Sequence, residues 1–128
     1  MTTAVKRRPK HLDLLKIRLP IPGIVSILHR ISGAVLFVLF IPLGLLALQG
    51  SLASEQGFST WTGLFANPVV KLILVGFIWA WAHHFLAGIR YLLLDIHIGI
   101  ELLPARFSSK IVIVLSLAIT LLLAIKLW

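Results

Sequence analysis

The sequence predicts an all-α membrane protein with three transmembrane helices and an interfacial N-terminal segment. Composition is the first reason: 59% of the 128 residues are hydrophobic and only 12% are charged, against about 45–50% and about 25% in a soluble domain. Too little polar surface is available to dissolve such a chain. The second reason is distribution, because the apolar residues gather into three runs. Each run suffices to cross a hydrocarbon core of ~30 Å at 1.5 Å per residue.

Residues 1–23 form the first segment. It carries Lys6, Arg7, Arg8, Lys10, Lys16 and Arg18, followed within the same stretch by Leu12, Leu14, Leu15, Ile17 and Leu19 and closed by Pro20 and Pro22. That pattern reads as a strip lying in the membrane interface. It lacks the short apolar core and small-residue site of a cleavable signal. Residues 24–128 form the membrane domain, with helices expected over about 24–49, 68–95 and 108–127. In the first, Ile31 to Ser54 is free of charge; in the second, only Lys71 and Arg90 interrupt the interior of the run, both able to snorkel; the third runs from Ile111 to Trp128 with Lys126 near its end. Gln49 to Asn67 is a polar connection with one acid, Glu55, and no base, whereas Asp95 to Lys110 carries Arg106 and Lys110. The positive-inside rule therefore puts the N-terminus and the second connection in the cytoplasm, and the first connection and C-terminus opposite.

The formal charge of +8 is thus assigned to orientation, and nucleic acid is not expected as a partner. Cysteine is absent. The chain cannot by itself hold a thiolate-ligated iron–sulfur cluster, a thiolate zinc site, a disulfide or a cysteine nucleophile. Any metal chemistry must use histidine.

Two groups of residues could carry chemistry. Ser26, His29, Arg30 and Gly33 recur at i, i+3, i+4 and i+7, one stripe of the first helix. Polar groups at that depth are expensive, and three on one stripe point to a polar ligand; the plainer reading has Arg30 reaching lipid phosphates. His83 and His84 lie deep in the second helix, where an imidazole requires a partner. Hydrogen bonding between helices would satisfy it. So would ligation of a metal or haem by His84, around which Ala80, Ala87 and Gly88 leave space, while His83 points about 100° away. If the first two helices pack antiparallel, His84 could bind a haem iron while His29 and Arg30 meet its propionates. Trp61 and Trp128 read as interfacial anchors, His11 and His97 as solvated, and Asp95 as the end of a span.

Arg8-Pro9, His11-Leu12-Asp13-Leu14, the octet Ser26-Ile27-Leu28-His29-Arg30-Ile31-Ser32-Gly33 and His84-x-x-x-Gly88-Ile89-Arg90 follow one another across essentially the whole chain. In this order, with three spans, they resemble the large cytochrome b membrane-anchor subunits of succinate dehydrogenase, respiratory complex II of the tricarboxylic acid cycle and electron transport. The resemblance implies that His84 is one axial ligand of haem b, the second coming from a small membrane-anchor subunit. It implies that His29 and Arg30 face the haem propionates, and that Ser26 and Arg30 border the site of the quinone substrate. It also implies an iron–sulfur subunit and a flavoprotein subunit docked on the cytoplasmic side of a bacterial inner membrane. Many members carry His directly after Gly-Ile-Arg, where this chain has Tyr91.

Quinone reduction needs two electrons and two protons. Ser26 can donate a hydrogen bond to a quinone carbonyl, and Arg30 can stabilise negative charge developing on its oxygen. A quinol:fumarate reductase anchor, or a three-helix scaffold whose histidines only join helices, are the alternatives.

Overall fold

The computed structural model describes residues 18–128. The interfacial strip expected before Arg18 lies outside the described residues, as does His11. The chain then forms α1 (Ile21–Val35), a π-helical turn (Leu36–Phe40), α2 (Ile41–Ala53), α3 (Glu55–Ala66), α4 (Pro68–Asp95) and α5 (Leu102–Leu127). Three stretches are long and apolar enough to cross a membrane: Ile21–Ala53, Pro68–Asp95 and Leu102–Leu127. Their number is the one expected, and the second has the expected bounds.

The other two begin earlier than expected, and both departures come from proline. Pro22 lies in the first turn of α1, where its missing N–H costs nothing and its fixed φ favours helix. It opens the helix instead of ending the preceding segment. Pro104 occupies the first turn of α5 in the same way, so the helix starts six residues before position 108. A third proline, Pro42, stands just after the π turn, where Ile41 N–H bonds to the Leu36 carbonyl. Lacking an N–H and crowding the carbonyl four residues earlier, Pro42 breaks the regular ladder, and the wider turn absorbs the mismatch.

The polar connection between the first two spans is itself largely helical. Ser54, extended at φ −166° and ψ 163°, separates α2 from α3, and its hydroxyl accepts from Gly57 N–H at 3.0 Å. Glu55 follows in the first turn, favourable for the helix dipole. Trp61 of α3 packs directly against Gly50 of α2. Asn67 then caps α4, accepting from Val69 N–H at 2.9 Å. The α4–α5 connection turns through His97 and Gly99, both left-handed at φ 64° and 77°.

The three spans pack as an up-down-up bundle whose interior is small and polar. Ala80, Ala82, Ala87, Val25 and Val112 are buried together with Ser32, His83, Arg90, Ser109, Ser116 and Thr120. Large apolar side chains point outward, including Phe37 and Leu103 at 73% and 75% exposure. This is the pattern for lipid: small residues let helices approach closely, and hydroxyls bond back to their own helix, as Ser109 does to Ala105 O at 2.7 Å and Thr120 to Ser116 O at 2.7 Å.

Arg90 departs from the sequence-based expectation. It is only 6% exposed and turns inward to α5, where Nε donates to Ser108 Oγ at 3.0 Å and Nη2 to Ala105 O at 3.4 Å. It ties two spans together rather than reaching out of the bundle. A charge enclosed between helices needs such partners.

Candidate functional site: a histidine pair between the first two spans

α1 and α4 are antiparallel where they cross, since His29 lies beside Gly88 and Gly33 beside His84. Glycine at position 33 is required by the contact. A Cβ there would stand 2.7 Å from His84 Cε1 and 3.1 Å from Nδ1, closer than packed atoms tolerate.

The His84 ring is fixed from two sides. His29 stacks on it, ring centroids 4.2 Å apart and planes 10° from parallel, and His84 Nδ1 lies 3.0 Å from the His29 carbonyl oxygen. A carbonyl can only accept, so Nδ1 carries the proton. In the neutral ring, Nε2 is therefore the unprotonated nitrogen with an available lone pair, the tautomer that ligation through Nε2 requires. Ser32 supports the same point. Its hydroxyl, 1% exposed as a residue, donates to His29 O at 3.0 Å and stands 3.4 Å from His84 Nδ1.

Of the stripe read from sequence, the structure brings His29 and Gly33 to His84. Arg30 lies on the exposed edge of α1 and Ser26 is half-buried one turn earlier. The α1 stripe is thus divided between a buried contact and an open margin. Ser32 is the residue that sequence reasoning missed: it lies outside the i, i+3, i+4, i+7 series, and only the crossing of α1 with α4 turns it inward. His83 diverges from His84 as expected. It is 1% exposed and stacks on Trp79 at 5.3 Å, away from the His29 contact. Tyr91 continues the column of rings, 5.2 Å from His29. Among the described residues, no group of three or more His, Asp or Glu side chains forms a metal cluster.

A three-span bundle with an imidazole held by a backbone carbonyl between its first two spans defines a class, the small α-helical membrane proteins. Comparison with known proteins narrows it. Residues 4–123 match the family described as succinate dehydrogenase/fumarate reductase transmembrane subunit, and the chain belongs to that family. It is 36% identical over 123 residues to the succinate dehydrogenase cytochrome b556 subunit of Coxiella burnetii, covering 95% of this chain and 98% of the relative. The proteins of the same name from Paracoccus denitrificans and Rickettsia typhi are 34% and 31% identical, with 90% and 91% of this chain covered and 88% and 90% of theirs. The chain is accordingly an integral, multi-pass inner-membrane protein, and its place is as a subunit of an enzyme complex rather than an enzyme alone.

Proposed function

We propose that this chain is the haem b-binding anchor of a succinate:quinone oxidoreductase, forming part of its quinone-reduction site and holding the flavoprotein and iron–sulfur subunits at the membrane. The observation that carries this reading is the bond from His84 Nδ1–H to the His29 carbonyl, 3.0 Å long. It supports His84 Nε2 as an axial ligand, because a second hydrogen-bonded nitrogen orients a metal-ligating imidazole and raises its basicity. The residues around it suit the group: Gly33 and Gly88 put no side chain against the two histidines, and the Ser32 hydroxyl stands at His84 Nδ1, not at Nε2.

His84 would hold the iron together with a histidine of a small membrane-anchor subunit. When bound, haem b supplies a one-electron carrier in the membrane. His29 and Arg30 would meet its propionates, the guanidinium by paired, charge-assisted hydrogen bonds. Ser26 and Arg30, on the open margin of α1, would border the quinone. There Ser26 O–H donates to a carbonyl, and Arg30 stabilises charge developing on the reduced oxygen, an effect magnified by low dielectric. The flavoprotein and iron–sulfur subunits would dock at the end carrying Pro20, Asp95 and Leu102, which we infer is cytoplasmic.

Substitution separates these roles. His84→Leu abolishes or distorts the b-type optical spectrum of the purified complex; an intact bis-histidine spectrum would move the ligand elsewhere. Ser26→Ala and Arg30→Leu lower quinone reductase activity while succinate oxidation by an artificial dye survives. Unchanged quinone kinetics would remove both from the site.

A further inference from the structure

Three donors converge on the carbonyl oxygen of His29. Within α1 it is the helical partner of the Gly33 N–H, four residues on. The Ser32 hydroxyl donates to it at 3.0 Å, and His84 Nδ1–H reaches it from α4 at 3.0 Å. A carbonyl oxygen has two lone pairs, so the three bonds compete. Each donor that draws density from the oxygen leaves a poorer acceptor for the others.

Of the three, only the Ser32 donor belongs to a side chain of α1. The residue is 1% exposed, so its hydroxyl is held where neither water nor lipid exchanges with it. Its oxygen stands 3.4 Å from His84 Nδ1, outside the range of about 2.7–3.2 Å for a good N–H···O bond. The hydroxyl therefore acts on the imidazole chiefly as a competitor for the shared carbonyl, not as a second acceptor. The consequence falls on the far side of the ring. A strong bond from Nδ1–H raises the basicity of a metal-ligating imidazole at Nε2, and a more electron-donating axial ligand favours ferric iron, second-shell hydrogen bonding being one lever on a haem potential.

We propose that the Ser32 hydroxyl tunes the axial imidazole: by sharing the His29 carbonyl it weakens the His84 Nδ1–H bond and holds the haem reduction potential above the value that bond alone would set. Ser32 is thus a positioning residue, acting through His84, and this rests on the haem reading above.

The test is a redox titration of the purified complex, monitored by b-type absorbance, for the native chain and three variants. In Ser32→Ala the ratio of reduced to oxidised haem at fixed potential falls about threefold, a midpoint lower by about 28 mV given about 59 mV per tenfold for one electron. Ser32→Thr keeps a hydroxyl able to bond back to the carbonyl and keeps the native midpoint. Thr120→Val removes another buried hydroxyl bonded back to its own helix, toward the far end of α5, and leaves the midpoint unmoved. The midpoint is read on whatever haem is retained, so partial loss of haem does not blur it. An unmoved or raised midpoint in Ser32→Ala overturns the proposal. Equal shifts in the Ala and Thr variants, or loss of all haem from Ser32→Ala, assign Ser32 to packing and overturn it as well. Absence of b-type absorbance from the native complex defeats instead the haem reading, and is seen before any substitution is made.

Discussion

An alanine at position 33 introduces a single methyl group, and its Cβ would come within 2.7 Å of His84 Cε1. The imidazole cannot yield easily, since His29 stacks on one face and its carbonyl holds Nδ1. Overpacking of this kind costs about 1–3 kcal/mol. Gly33→Ala should therefore lower the thermal stability of the complex and shift or weaken its b-type absorbance, whereas Gly76→Ala, at a site with nothing within 4 Å, should change neither. The choice of His84 over His83 was legible in the sequence only through the spacing to Gly88-Ile89-Arg90. The structure gives the two rings different surroundings, His84 meeting the carbonyl of His29 and His83 stacking on Trp79, and no sequence pattern encodes that carbonyl because it is a backbone atom of another helix. Ser32 escaped notice for a related reason: a serine inside an apolar run is equally consistent with a hydroxyl bonded back to its own helix, which Ser32 also is.

At the scale of elements, α4 and α5 are joined at one end by Arg90 and at the other by Lys71, whose Nζ lies 5.4 Å from the Trp128 ring centroid. The two contacts differ in weight. Lys71 is half-exposed, whereas Arg90 is enclosed and its Nε depends on the Ser108 hydroxyl at 3.0 Å. Ser108→Ala leaves that charged donor short of a partner and should destabilise the bundle by about 1.5–3 kcal/mol, measured as a lowered unfolding temperature in detergent. Ser59→Ala, on the exposed face of α3, should have no measurable effect. The spans themselves were legible because lipid demands long apolar runs. Helix α3 was not, because its serines, threonines and glycines resemble a loop in composition. Its helicity depends on the Ser54 cap and on Trp61 meeting Gly50, a contact between elements. The π turn was likewise hidden, although Pro42 in an apolar run marks where a ladder must break.

For the whole molecule, orientation carries the largest functional consequence, because it decides which aqueous face receives the partner subunits. Charge asymmetry argues for one answer. Lys6, Arg7, Arg8, Lys10, Lys16 and Arg18 precede the first span in the sequence and Arg106 and Lys110 begin the third; among the described residues, the opposite end has Lys71 and Lys126, with Glu55 in the connection between the first two spans. The positive-inside rule counts basic residues close to span ends, and here the excess is large enough to outweigh a change at any single position. With three spans, that rule would put the N-terminus and the α4–α5 turn in the cytoplasm, and α3 and Trp128 on the other side. His29, Arg30 and Tyr91 would then lie in the cytoplasmic half of the bilayer, the half that the proposed docking would adjoin. Alkaline phosphatase, active only outside the cytoplasm, should be active when fused after Trp128 or within α3 near Gln56, and inactive when fused at Gly99. The inverse pattern would turn the bundle over and put the histidine pair on the side remote from the cytoplasm, which would defeat the proposed docking of the flavoprotein and iron–sulfur subunits.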